Sequence, residues 1–389
     1  MGASSFGLDR VGEVITVVEK LFMMRILATC LMVGIAMGAG CASPAESNKA
    51  KPSDRARAQP SQDPYPWVEA AQPGDLKIII MGDINIQNRE NPAGAFTNVR
   101  ATLSGADLRY ANLEGLYRQT KDAPIKGKAE WRHSDPAMID ALLAGSFDVV
   151  GCANNVCYGE TAILNTLRLL DKNHILHCGA GATRTAARTP AIIERNGTRF
   201  GFLQYTSRYY GEKQIATEKS AGVARLNPRV EGDIKAAVAD VKALRDQVDV
   251  LIFSHHLRKS GSAETENYQR KVARAVVATG ADLVFGHGGH VNQGIEMVNG
   301  TPVVHCISNF AFDWWKMKGR NDGLLLRLIV RDRRIVRLSI VPVCRDGMNN
   351  VYLTPPDSTE GVRQIKALRN LSPGVSLRIE GHEIVVPLG

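Results

Sequence analysis

Five short apolar runs recur along this 389-residue chain, and each is closed by a residue able to hold a metal ion. Residues 76–81 (LKIIIM) lead into Gly82 and Asp83. Residues 106–114 (ADLRYANLE) end in Glu114, and 147–151 (FDVVG) run into Asn154 and Asn155. Residues 248–254 (VDVLIFS) are closed by His255 and His256, and 283–285 by Gly286, His287 and His290. Runs of this length, bounded by glycine or polar residues, read as buried strands that end in loops. Segments with helical spacing separate them, at 94–104, 132–144, 161–171, 230–247 and 268–279. The alternation predicts an α/β architecture, a sheet covered by helices, in which the loops at one sheet edge build the site. Each residue alone has an ordinary explanation. Asp83 could cap a turn, the paired asparagines could cap the helix that follows, and the histidines could sit in solvent. Together they are carboxylates, amide oxygens and imidazoles, the donors that hard and borderline divalent cations take.

Further strands are expected at 175–181, 200–205, 221–226 and 302–307, the last running on to Asn309 and Phe310. From Gly323 the pattern changes to β-branched runs that read as antiparallel strands finishing the sheet, with a helix at 360–370. Arg331, Arg333, Arg334 and Arg337 fall among these strands and read as a solvated sheet face. The chain is 44% apolar and 22% charged, with a formal net charge of +9, values of a globular protein with a basic surface. No zinc-finger spacing, recognition-helix pattern or aromatic–basic platform points to nucleic acid, whereas a basic balance suits a polyanionic partner. The seven cysteines contain no CxxC pair. Cys152, Cys178 and Cys306 read as packed thiols, and Cys157 as a thiol packed under the loop after Asn155.

The first 73 residues read differently. Residues 24–40 place one arginine before an apolar run too short for a membrane span, the form of an export signal starting at Met23 or Met24. Cys41 follows Gly38-Ala39-Gly40, which resembles a bacterial lipoprotein processing site. Ordinary cleavage near Ala42 is the alternative. Residues 42–73, rich in Pro, Ser, Ala, Lys and Gln, read as a disordered tether. The expected product is a folded domain at 74–350, completed by 351–389, held in the cell envelope by a lipid anchor.

The ordered motifs resemble the CapA family of capsule and poly-γ-glutamate biosynthesis proteins, within the calcineurin-like metallophosphatases. The resemblance rests on Gly82-Asp83, Asn112-Leu113-Glu114, Ala153-Asn154-Asn155, a histidine closing the 248–254 run, Gly286-His287, His290-Val291 and Asn309-Phe310. It implies a four-layer α/β/β/α sandwich around two divalent metal ions (Mn, Zn, Fe or Mg). It further implies that Asp83 and His290 serve the first metal, and Asn155, His256 and His287 the second. Glu114 would bridge them, with His255 the alternative to His256. The implied partners are an anionic polymer or its precursor and the subunits of a polymer synthase.

Three departures bear on activity. Val156 stands where the family carries a histidine after the paired asparagines, the usual proton donor. Leu257-Arg258-Lys259-Ser260 replaces a histidine-Trp-Gly segment, and Arg258 is a candidate for contacting an anionic substrate. Gly288 and Gly289 separate His287 from His290. The metal ligands therefore persist while the phosphatase acid is missing, and three readings follow. They are a polymer-biosynthesis protein, a metal-dependent phosphoesterase in which Asn155 and Arg258 assist turnover, and a non-catalytic binding protein.

Overall fold

The computed structural model describes residues 65–67, 72–118, 133–314, 317 and 319–388. The expected leader, Cys41 and most of the tether lie outside the described residues. Four parallel strands open the domain: β1 (Leu76–Asn85), β2 (Leu108–Leu113), β3 (Val149–Gly151) and β4 (Leu176–Cys178). A short β5 (Ala180–Gly181) precedes the hairpin β6 (Ala191–Arg195) and β7 (Thr198–Thr206), which starts a second sheet. After β8 (Gly222–Val223), which pairs with β5, come β9 (Val250–His256) and β10 (Leu283–His287), parallel to β7. The pair β11 (Ile295–Val298) and β12 (Thr301–Val304) forms the edge of that sheet. The chain then returns to the first sheet with β13 (Asn309–Phe312), parallel to β1. The long hairpin β14 (Gly323–Arg331) and β15 (Arg334–Arg345) follows, and then β16 (Val351–Leu353), β17 (Arg378–Glu380) and β18 (Glu383–Val386).

Three packed cores define four layers. Ile78, Ile80, Leu108 and Tyr110 of the first sheet meet Phe200, Phe202, Ile252 and Phe285 of the second in a core between the sheets. The alternate residues Ile79 and Met81 face outward, onto Leu142 and the helix Glu160–Lys172 through Ile163 and Leu170. On the far side Leu203, Leu251 and Phe253 pack against the helices Glu231–Arg245 and Asn267–Val277. Strands covered on both faces read as unbroken apolar runs, which is why the sequence shows runs here rather than alternation. The result is the expected α/β/β/α sandwich, with antiparallel strands at the C-terminal end.

Several elements differ from expectation. The segment at 94–104 is a 3-10 helix (Pro92–Val99) continued by one α-turn (Arg100–Ser104), and only Pro136–Ala144 of the 132–144 segment is described as helical. Strands β6, β11 and β13 are additional. The tether is anchored at its end: the Tyr65 carbonyl accepts a hydrogen bond from Arg327 at 2.8 Å, and the Arg327 guanidinium lies 5.0 Å from the Trp67 ring centroid. The arginine face is only partly solvated. Arg333 and Arg334 are exposed, but Arg331 pairs with Asp75, and the β17–β18 hairpin covers Arg337 with Glu380 and Glu383. Among the described residues no helix is long and apolar enough to cross a membrane.

Candidate metal centre

The sheets deliver their polar strand ends to one place. β1 does not stop at Met81 but continues through Asp83, with register shifts on both sides of that residue. Asp83 is thereby set between Asn112 of β2 and Asn309 of β13. Gly82 permits this: a Cβ there would lie 1.9 Å from the Ser308 carbonyl, which accepts the Asp83 N–H at 3.0 Å. In the second sheet the parallel register places His256 of β9 directly beside His287 of β10, so both histidines belong to strands rather than loops. Strand alternation decides between the neighbouring histidines. His256 joins the centre. His255 turns away to Ser207 (Nε2 to Oγ 2.7 Å) and the edge of Tyr268.

Six predicted ligands come together, all buried. Asp83, His256 and His287 form one group of three donors, and Asp83, Glu114 and His290 form another; within each, the ligand atoms lie within 4.8 Å of one another. Asn155 joins the first group, its Oδ1 2.7 Å from His256 Nε2. The family resemblance gives the bridging position to Glu114, but here the carboxylate common to both groups is Asp83. The reason is placement. Asp83 sits inside β1 with a histidine on either side, 3.5 Å from His287 and 3.6 Å from His290, whereas Glu114 lies past the end of β2 and approaches His290 at 3.7 Å. The two asparagines also divide their roles. Asn154 Oδ1 accepts the N–H groups of Val156 and Cys157, which shapes the loop, while Asn155 faces the histidines.

The loop after β10 is built for close approach. Gly288 has φ +77°, donates its N–H to Asp83 Oδ2 at 2.9 Å, and carries no Cβ where one would lie 2.2 Å from the His256 ring. His290 is itself left-handed, at φ 54°, a conformation that costs a non-glycine residue of order 1 kcal/mol or more. Asn309 Oδ1, 2.7 Å from His290 Nδ1, holds the ring in place.

Gln204, in the middle of β7, connects these parts. Its Oε1 accepts the Ala153 N–H at 2.9 Å, and its Nε2 lies 2.7 Å from Asn112 Oδ1 and 2.8 Å from His287 Nε2. Asn112 in turn donates to Asp83 Oδ1 at 2.7 Å. One amide therefore links the asparagine loop, the central carboxylate and a histidine. Its only sequence signal is a lone amide in the apolar run FGFLQYT. With Gln204 donating to His287 Nε2, the His287 proton sits on Nδ1 and faces His256 Nδ1 at 3.0 Å, and His256 Nε2–H donates to Asn155. Each ring then carries one proton, and neutral imidazole is the form that binds metal, through the ring nitrogen that bears no proton.

Electrostatics agree. Burial works to raise the Asp83 pKa, but the adjoining His287 and His290 and the Asn112 amide outweigh it, so Asp83 stays an anion. Burial, with further help from His287, pushes His256 well below the ordinary imidazole range. Burial first, then His287, takes His255 down to about 3, and burial takes His133 down to about 4. A histidine whose folded pKa lies below its unfolded value of 6.5 is charged first in the unfolded chain, so stability is lost as pH falls through that interval. The urea midpoint of metal-free protein should therefore drop steadily between pH 6.5 and about 4, each buried histidine contributing about 1.4 kcal/mol per pH unit. A midpoint constant across that range would show that these rings are not buried as neutral species.

Other expectations resolve here too. Arg258 does not join the centre; it pairs with Glu266 at 3.1 Å and lies over Tyr268, the ring centroid 5.5 Å away. Glu266 caps the helix Asn267–Val277, so Arg258 pairs with the residue that starts that helix. Cys157 is fully buried in the outer core and belongs to neither ligand group. Val156 is buried as well, and its carbonyl meets His133 Nε2 at 3.3 Å, an imidazole near the asparagine loop that sequence reasoning did not single out.

The family model for the bacterial capsule synthesis protein PGA_cap matches residues 72–314, a span that carries all six ligands and Asn309. The chain belongs to the PGA_cap family. PGA_cap relatives include the capsule biosynthesis protein CapA of Bacillus anthracis, 25% identical over 304 residues, which cover 75% of this chain and 72% of the relative. The PGA biosynthesis protein CapA of Bacillus subtilis (strain 168) is 22% identical over 295 residues, 72% of this chain and 74% of the relative. Among solved structures, a phosphatase from Mycoplasma pneumoniae aligns with 69% of this PGA_cap chain and 94% of its own, at 13% identity and a TM-score of 0.44. The buried donor set described above lies within the span matched by the PGA_cap model, and its chemistry suits divalent metal ions.

Proposed function

We propose that the chain is an exported, surface-attached protein of capsule or poly-γ-glutamate biosynthesis, whose dinuclear metal centre acts on an anionic polymer or its precursor. The observation that carries this reading is the coincidence of the family match with two complete, buried donor groups that share Asp83. Mn²⁺, Zn²⁺, Fe²⁺ and Mg²⁺ all suit a set of carboxylate, imidazole and amide donors. Two such ions would supply Lewis-acid stabilisation to the attacking and leaving oxygens of a displacement. The chain's own residues do the rest. Asp83, Glu114, His256, His287, His290 and Asn155 hold the centre, and Gln204 and Asn309 fix the orientation of His287 and His290. The surrounding cores exclude water from all but the open side. The relatives' names, the tether composition and the basic net charge support an envelope location and an acidic partner, and polymer synthase subunits fit the same setting.

Hydrolysis is tested by supplying Mn²⁺ or Zn²⁺ to the purified domain with a generic phosphomonoester and phosphodiester, and with short poly-γ-glutamate, using Glu114→Ala as the control. Turnover at least tenfold lower in the variant is expected; equal turnover would sink a metal-centred reaction. Attachment is tested with Cys41→Ser, which should move the protein from the membrane fraction to the soluble one, whereas an unchanged distribution argues against lipidation at Cys41. A binding role without turnover is the second reading, and Val156 favours it, because a buried aliphatic side chain has no proton to give a leaving group.

A further inference from the structure

A cavity of about 570 Å³ opens beside the metal centre, with the ligand His290 in its wall. That volume falls within the range of small-molecule sites, roughly 300–1,000 Å³. The same wall carries three arginines, Arg320, Arg345 and Arg363. Arg363 is already committed: it forms a two-pronged pair with Asp322, at 2.5 and 2.6 Å. The other acidic side chain in the wall, Glu360, is exposed at the start of the helix Thr359–Leu371.

Arg345 is the unusual one. It is 2% exposed, yet its guanidinium donates only to neutral acceptors, the carbonyls of Phe312 (2.9 Å) and Arg320, and its Nε has no hydrogen-bond partner among the described residues. The molecule's other buried arginines are neutralised directly: Arg327 by Glu383, Arg337 by Glu380 and Glu383, and Arg109 by Asp148. The nearest help for Arg345 is through-space attraction to Asp313 and Asp83, and those carboxylates already accept from other groups, Asp313 from Arg89 and Asp83 from Asn112 and Gly288. Burial draws the Arg345 pKa down to about 10, which still leaves it cationic at neutral pH. A buried cation with no carboxylate bonded to it is poorly compensated, so its place in a cavity wall suits an anion from outside the chain. Arg320, exposed at the rim, reaches only Ser260 Oγ at 3.4 Å and is available to the same ligand.

We propose that this cavity is the substrate subsite of the metal centre, in which Arg345 and Arg320 receive a carboxylate of an acidic chain whose next unit lies against His290. This rests on the functional reading above and names its substrate class. Carboxylate and phosphate share the chemistry that guanidinium recognises, so both are probed. γ-Linked triglutamate and inorganic phosphate are titrated separately into chelator-treated protein, with thermal shift and calorimetry as readouts. Without metal the centre cannot itself hold an anion, which isolates the cavity. Triglutamate should raise the melting temperature of wild type. Arg345→Met should abolish that shift while melting at or above the wild-type temperature, since it replaces an uncompensated charge with an apolar side chain of similar length. Arg320→Ala, at the exposed rim where folding is not at stake, should weaken triglutamate binding roughly 10- to 100-fold. Asp83→Ala, with its metal site removed, should keep the shift; that outcome separates the subsite from the fate of the catalytic reading. Wild-type binding by Arg345→Met and Arg320→Ala would overturn the proposal. A shift with phosphate and none with triglutamate would overturn its carboxylate assignment.

Discussion

Asp83→Ala is expected to strip the protein of divalent metal, leaving less than about a tenth of the wild-type content after dialysis. The expectation follows from position. Every other ligand in the two donor groups serves one of them, and Asp83 serves both. Glu114→Ala removes a donor from the His290 group alone, and His256→Ala from the His287 group alone, so each should retain about half the metal of wild type. Asp83→Asn is no refuge. One carboxylate oxygen accepts the Asn112 amide and the other the Gly288 N–H, so an asparagine must turn its own NH₂ against one of these donors. Metal per chain, measured by mass spectrometry after identical reconstitution, distinguishes the three positions. Equal retention by Asp83→Ala and Glu114→Ala would mean that the shared carboxylate has been misplaced.

The largest effect on stability is expected from Glu383→Ala, at a cost of roughly 3–5 kcal/mol. Glu383 is 1% exposed and faces two buried arginines, with Arg327 Nη1 at 2.9 Å and Arg337 Nη2 at 3.3 Å. Its removal takes away a carboxylate that pairs with both guanidiniums, in a place water does not reach. The paired replacement Glu383→Leu with Arg327→Met should recover most of the loss, because both charges leave together. Urea denaturation of the two variants is the check. A single variant within about 1 kcal/mol of wild type would show that the guanidinium is solvated or otherwise neutralised.

Much of the architecture was legible because buried parallel strands leave an unambiguous trace. LKIIIM, VDVLIFS and ADLVF could hardly be anything else, and the polar residue after each run pointed to a common sheet edge. The ligand types were legible for the same reason. The structure, rather than the sequence, reveals how the ends are shared out. Whether Asp83 or Glu114 sits between the histidines depends on the irregular register of β1 against β2 and β13, which no local pattern encodes. The choice of His256 over His255 follows from strand alternation, but only once the strand is known to reach His256. Gln204 was missed because a single amide in an apolar strand looks like an edge residue until three partners converge on it. An arginine after a ligand histidine suggests a substrate clamp, and the pairing of Arg258 with Glu266 at a helix start is visible only in the structure. Arg337 looked solvated because the hairpin that covers it, β17–β18, lies far along the chain.

We propose that donor groups meeting at Asp83 hold two divalent ions. The most direct measurement is an anomalous difference map from crystals grown or soaked with Mn²⁺. Two peaks should flank the Asp83 carboxylate, one among His256, His287 and Asn155 and the other among Glu114 and His290. A single peak, or none at these residues, would contradict it.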